Sequence, residues 1–471
     1  MTRPLRLHPD RLFPAEPRTR DIARDLYGGV RDLPIVSPHG HTDPAWFATN
    51  EHFADPASLL IVPDHYLFRM LYSQGVRLED LGIPTRDGTP VETDPRAIWR
   101  RFAAHYRLFR GTPSRMWLDW VFAEVFGLDV ALDAETADLY FDTIDAALKT
   151  DAFSPRALFE RFGIEVIATT ESPLDPLEHH RAIRDSGWQG RVVTAYRPDP
   201  VMDPEADDFA GNVARFGELA NEDVRSFAGY LRAHENRRAY FRGFGATSTD
   251  HGHLSATTAW LERPEIEALY ARALAGRCTA AEADLFRGHM LVEMARMSLD
   301  DGMVLQIHPG VHRGHNPALF DRFGPNMGAD IPIATDYVAA LKPLLDRYGN
   351  DPRLSVILFT LDEDSYSREL APLAGHYPAL RLGPPWWFND SPEGMRRFRE
   401  RVTETAGFYN TVGFNDDTRA FLSIPARHDV ARRMDCAFLA RLVAEHRLRD
   451  DEAHELAADL AYHLAKAAYK L

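Results

Sequence analysis

Two histidines stand two residues apart, His39 and His41, just beyond the apolar run 33–36 (LPIV). In an extended chain, side chains at i and i+2 share a face. Both imidazoles then point the same way, with only Gly40 between them. Two imidazoles on one face are half of a divalent-metal site. Taken alone, they read more readily as polar residues in a strand-end loop. The decision rests on whether other segments bring the rest. His308 closes the apolar run 303–308, and Asp416 and Asp417 follow the run 410–415. Neutral imidazole with carboxylate suits Zn²⁺ or Mn²⁺. Arg197, Arg313 and Arg419 also follow apolar runs. One such arginine is most simply a surface ion-pair partner. Three at one mouth suggest an anionic ligand, because a guanidinium forks a carboxylate or phosphate. There is no P-loop and no strand–GxGxxG–helix unit, and Gly243-Phe244-Gly245 is an isolated GxG. A carboxylate ligand therefore has more support than a phosphate or dinucleotide.

These groups can meet only if the fold carries them to one place. Eight β-rich apolar runs recur along the chain: 34–39, 164–170, 192–197, 240–247, 303–308, 354–360, 379–383 and 410–415. Most are continuous rather than alternating, as strands covered on both faces are. Helical patterns separate most of them, at 281–299, 335–348, 391–405 and 426–446. Ser391-Pro392-Glu393 gives the third of these helices an N-cap and first turn. Eight strands alternating with helices predict an α/β fold, a (β/α)8 TIM barrel. Function in such a barrel collects at the C-terminal strand ends. The groups above fall there, with Asp250-His251-Gly252 after the fourth run and Trp386-Trp387-Phe388-Asn389-Asp390 after the seventh.

The segment 44–160 breaks the alternation. It reads as helical at 64–75, 95–108, 114–126 and 134–148, with Asp64, Ser114 and Asp133 as helix starts. An all-helical insertion after the first strand is expected, covering the active-site face, with 1–43 and 161–471 forming the barrel. The tail 451–468 reads as a last helix. Glu178-His179-His180 and His454-Glu455 lack the spacing of a zinc-binding helix and are expected to lie on solvated helix faces.

The totals set bounds. The chain has 471 residues, 45% hydrophobic and 11% aromatic, enough for a large core. Its net charge is -16, from 54 basic and 70 acidic residues, which argues against nucleic acid as the main partner. A few local arginines can still reverse the sign inside one pocket. Only Cys278 and Cys436 are present, so neither a disulfide framework nor a thiolate zinc site can be built. No signal-peptide core and no run of ~18 apolar residues is seen, so a soluble cytoplasmic protein is expected, with no membrane partner.

Longer motifs sharpen this. HGH at 39–41, DHYLFR at 64–69, YRPD at 196–199, DHG at 250–252, QIHPGVHR at 306–313, WWFND at 386–390, DDTRAF at 416–421 and RHDVARR at 427–433 occur in one order across nearly the whole chain. In this the chain resembles the uronate (glucuronate) isomerases of the amidohydrolase superfamily. The resemblance implies a distorted (β/α)8 barrel of the metal-dependent hydrolase type with a helical insertion. It implies one divalent metal, usually zinc, and a hexuronate substrate: D-glucuronate to D-fructuronate, and D-galacturonate to D-tagaturonate. Carried over, the metal ligands are His39, His41 and Asp417, and Tyr66, His308, Arg197 and Arg419 are the other active-site groups. Arg313 and Trp386 are added as substrate contacts, and His65 as a structural neighbour of Tyr66. The doubled Asp416-Asp417 leaves the ligand ambiguous by one residue, and the Asp-x-Arg spacing to Arg419 favours Asp417. Pro309 follows His308 where a β-branched residue is expected, which bears on the loop carrying Arg313. No lysine stands at a middle strand end to be carbamylated between two ions, so a mononuclear site is expected. A homo-oligomer is also expected. Two rival readings remain: a metal-dependent deaminase, lactonase or amidase on the same barrel, and a barrel that binds uronates without turning them over.

Overall fold

The computed structural model describes residues 3–471. The first barrel range expected above begins at residue 1, and residues 1 and 2 lie outside the described residues. Seven parallel strands form one curled sheet. In spatial order they are β1 (Ile35–Ser37), β2 (Ile164–Glu171), β3 (Arg191–Tyr196), β4 (Ser248–His251), β5 (Val304–Ile307), β8 (Val356–Leu358) and β9 (Leu380–Leu382). The intervening β6 (Val311–His312) and β7 (Ile331–Pro332) form a separate antiparallel ribbon. The barrel strands are buried along nearly their whole length, which is why their sequences are apolar runs rather than alternations. Pro34 and Pro38 bracket β1 and shorten it to three residues.

Two expected strands are corrected. Residues 240–242 end the helix Phe227–Arg242, and the strand begins only at Ser248. The aromatic run there is a helix end: Phe241 is buried edge-on against Tyr196, at 5.1 Å. Gly245, at φ +86°, then turns the chain into β4. Residues 410–415 make a single bridge, Thr411 to Leu382, and no strand. Gly413, at φ +73°, breaks the ladder after Val412. The segment still closes the ring. The Val412 N–H donates to Leu382 O (3.0 Å), and the His41 N–H donates to Thr418 O (3.0 Å) across the gap to β1.

Between β1 and β2 the elements are helical, including His65–Tyr72, Pro95–His105, Pro113–Trp120 and Ala137–Leu148. Asp64 caps the first through the Tyr66 N–H (2.8 Å). Two other expected starts move. Thr112, not Ser114, caps Pro113–Trp120, because Pro113 takes the first helical position. Asp133 instead holds the turn before Ala137–Leu148, accepting from the Glu135 and Thr136 N–H groups. Ser391 caps Pro392–Ala406 as expected, through the Gly394 N–H (3.0 Å). These helices pack Trp99, Phe102, Tyr106, Phe122 and Tyr140 into one cluster that also takes Ile35, Ile164 and Phe421 from the barrel. The segment is thus welded to the barrel by shared core. Among the described residues, no helix is long and apolar enough to cross a membrane.

Candidate active site

Because Pro38 ends β1, His39 and His41 stand on the loop beyond it. Their rings are 5.4 Å apart and nearly perpendicular. Asp417 reaches both from the closing segment: its Oδ1 lies 3.2 Å from His41 Nε2 and 3.7 Å from His39 Nε2. That oxygen is buried and makes no aligned hydrogen bond. The other oxygen, Oδ2, accepts from Trp386 Nε1. Asp417 has φ +37°, held by its own N–H donating to Asn415 Oδ1 (2.9 Å). Such left-handed backbone costs a side-chain-bearing residue about 1–3 kcal/mol and clusters at functional sites. Burial alone would raise the Asp417 carboxyl, but His41 and His39 beside it hold it well below the usual range. Burial lowers His41, so its ring is neutral near pH 7. Two imidazoles and an ionised carboxylate with a bare oxygen, all ligand atoms within 4.8 Å, fit a divalent ion.

Asp416 turns the opposite way and is buried against His428 Nε2, 3.0 Å from its Oδ2. The doubled aspartate is split between wall and cavity.

Asp250, inside β4, forms the second focus. It is fully buried, with Oδ1 2.7 Å from His308 Nε2 and Oδ2 3.2 Å from Arg197 Nη1. Burial opposes its charge, yet His308, His39 and Arg197 hold its carboxyl well below the usual range. Arg197 also donates through Nε to Asp199 (3.0 Å). Burial would lower Arg197, and Asp250 and Asp199 more than restore it.

The helix His65–Tyr72 lays His65 and Tyr66 over the opening, their rings stacked at 4.7 Å. Burial, then Arg419 and Arg69, lowers His65 to about 3, so it is a neutral ring. Burial raises the Tyr66 hydroxyl well above its ordinary value, so it stays protonated. Arg427, from the helix Ile424–Ala444, stacks 3.6 Å over Trp117, pairs with buried Asp390 and lies 5.8 Å from the Tyr66 ring. Arg313 sits at the rim, its nearest carboxylate Asp330 at 3.7 Å. Arg419 lines the cavity with no ion pair among the described residues, and burial lowers its pKa. The cavity holds about 240 Å³.

In sequence and fold the chain is similar to known proteins. The family model for glucuronate isomerase matches residues 18–469. A uronate isomerase of Phenylobacterium zucineum is 68% identical over all of this chain and 98% of its own length. The crystal structure of a glucuronate isomerase from Caulobacter crescentus superposes with TM-score 0.98 at 64% identity, over 99% of this chain and 98% of that one. A uronate isomerase structure from Thermotoga maritima gives 0.91 at 26% identity, over 98% and 99%. The chain belongs to the glucuronate isomerase family. It is an enzyme of the uronate isomerase class.

In this family member, the structure brings His39, His41, Tyr66, Arg197, His308, Arg313, Trp386, Asp417 and Arg419 to one cavity. Trp386 does more than form a wall, since it bonds Asp417 and lies 5.0 Å from the His308 ring. His65 lines the cavity beside Tyr66 rather than only supporting it. Asp250 and the Arg427–Asp390 pair belong to the motifs DHG, RHDVARR and WWFND, yet their residue types alone assign them no role. Inward alternation along β4 is the signal that could have found Asp250. Of the histidines expected on solvated faces, His454 is there, 3.1 Å from Asp25, and His179 is exposed. His180 is corrected: it is buried and bonded to Thr169 Oγ1 (2.9 Å), because neighbouring helix residues point about 100° apart.

Proposed function

We propose that this chain interconverts D-glucuronate with D-fructuronate, and D-galacturonate with D-tagaturonate, through a cis-enediol. The observation that carries this is the bare Asp417 oxygen facing two imidazoles inside an arginine-rimmed cavity. An aldose becomes a ketose when the C2 proton leaves, charge passes to O1, and a proton returns at C1 while O2 gives up its own. The site needs a base near C2, a donor at oxygen, positive charge for the enediolate and an anchor for the distant carboxylate. His39, His41 and Asp417 would hold one divalent ion, zinc or manganese, which would polarise the sugar oxygens when bound. Asp417 takes the proton from C2 and returns it to C1. Tyr66, protonated at neutral pH, gives and regains a proton on the oxygen side. Arg419 and His308 stabilise the enediolate. Arg313 and Arg197 hold the substrate carboxylate, and Arg313 has more of its charge unspent, since Asp250 and Asp199 already engage Arg197. Trp386 fixes the Asp417 carboxylate and walls the site. The segment 44–160 acts as the cover, delivering His65 and Tyr66.

Proton NMR of zinc-supplemented protein with D-glucuronate in deuterated water tests this. Conversion to the ketose with deuterium at C1 is expected. Conversion without deuterium would rule out a solvent-exchanging base. No conversion of either D-glucuronate or D-galacturonate would overturn the isomerase reading.

A further inference from the structure

The tripeptide His-Gly-His occurs twice in this chain, at 39–41 and again at 251–253. The second copy lies outside the cavity, behind the wall where β3 and β4 end. Asp199 opens the short helix Asp199–Met202 after β3, His251 ends β4, and His253 follows it. One ligand atom from each of the three lies within 4.8 Å of the others. His251 is fully buried and His253 is 4% exposed.

The hydrogen bonds leave these rings unfinished. His251 Nε2 is engaged by the Thr249 hydroxyl at 3.0 Å, which leaves Nδ1 as the ring nitrogen open to a ligand. Nothing pairs with that Nδ1, and neither ring nitrogen of His253 has a partner. Buried polar atoms without partners are rare and call for a specific cause. A shared proton is a poor one: His253 Nε2 stands 3.7 Å from Asp199 Oδ1, too long for a hydrogen bond. That spacing is close to the roughly 3.4 Å separating two ligands of a tetrahedral ion with bonds of about 2.1 Å.

We propose that Asp199, His251 and His253 hold a second divalent ion of the zinc class, a structural one, with water at its fourth position. This ion ties the loop after β3 to the end of β4. It also fixes Asp199, which accepts from Arg197 Nε and, at 3.2 Å, from the Gly252 N–H. Arg197 is thereby held toward the cavity, and the ion acts on the reaction only by positioning it. Gly252 is wedged between the two groups: a Cβ there would meet Arg197 Nη2 at 2.6 Å and His308 Cε1 at 2.7 Å.

The test is independent of the isomerase reading. Wild-type protein is dialysed against micromolar free zinc, and its crystals are measured on both sides of the zinc absorption edge. An anomalous peak between Asp199, His251 and His253 is expected, in addition to the one at His39, His41 and Asp417. Metal analysis should find two zinc ions per wild-type chain, one in His41→Ala and one in His253→Ala. In His253→Ala, KM should rise several-fold more than kcat falls, because Arg197 loses its brace. A wild-type map without the second peak, or with it only at millimolar zinc, would overturn the proposal even if His253→Ala failed to fold. Equal metal content in wild type and His253→Ala would overturn it as well.

Discussion

At the N-terminal ends of β1 and β2, a cleft of about 660 Å³ is bordered by Arg11, Arg31, Arg161, Arg432 and Arg433. At the other end of the barrel, the cavity of about 240 Å³ is bordered by Arg197, Arg313, Arg419 and Arg427. The lower cleft is the larger and has more cations, five arginines against four. Its cations are spent. Arg432 donates to the carbonyls of Arg31, Leu33 and Pro34 at 2.8–2.9 Å. Arg161 takes Glu124 O and Val125 O, and Arg433 forks Asp429 and reaches Pro9 O. These arginines staple chain ends and carbonyls below the barrel. At the mouth, Arg419 has no ion pair among the described residues and Arg313 only a 3.7 Å one. Asp417 keeps one oxygen bare at a strained φ. Unsatisfied charge costs stability, so it persists where a ligand completes it. Counting arginines does not separate the two ends, whereas asking which are satisfied does.

The comparison is broken most directly at Asp417. Asp417→Asn removes the base and a metal ligand together, and kcat should fall by about 10²–10⁴-fold. Folding should survive, since relieving strained charge does not unfold a barrel. Thermal melting beside steady-state kinetics checks both, and near-normal turnover would remove Asp417 from the reaction. Chelation of the wild type should silence it likewise, with zinc restoring the rate.

The next pair sets the two ends against each other. Arg419→Met should lower kcat/KM by about 10²–10³-fold, the scale of losing one group aimed at developing charge. Its melting temperature should hold or rise. Arg432→Met should do the reverse: kcat within about twofold, but stability down by about 2 kcal/mol or more as buried carbonyls lose their donor. Urea unfolding separates them. If Arg432→Met cost activity and not stability, the division between ends would be wrong. Arg313→Gln, at the rim, should raise KM about tenfold with kcat little changed, the pattern of lost uniform binding.

What the sequence discloses follows the same physics. Strands such as β2 and β8 are legible because burial on both faces writes a continuous apolar run. The run 240–247 misleads because a helix end packed with aromatics has the same composition as a strand. Asp417 is legible from its spacing to Arg419, but its separation from Asp416 depends on a left-handed turn that no local residue type announces. Asp250 carries no signature of its own. A carboxylate within a strand is notable only once the lumen-facing side is known. The second His-Gly-His is hidden for a similar reason: its third ligand, Asp199, is 52 positions before His251 and arrives through the pairing of β3 with β4.

Glu171 gives the most specific test of how the mouth tolerates charge. It ends β2, is buried, and accepts from the Thr194 hydroxyl, with His180 Nε2 no closer than 3.8 Å. Burial pushes its carboxyl up to about 7 against the lowering effect of Thr194 and Thr169, helped by Asp175 and Asp43. The native state therefore keeps a proton that the unfolded chain releases near pH 4.5. Between pH 4.5 and 7 the folded protein binds more protons than the unfolded, so stability falls as pH rises, by about 3 kcal/mol in all. Glu171→Gln is neutral throughout and lacks that slope. Its unfolding midpoint in urea should match wild type near pH 4.5, draw ahead through pH 6 and hold its full lead above pH 7. Parallel curves for the two proteins would mean that Glu171 is ionised throughout and satisfied, as the arginines of the lower cleft are.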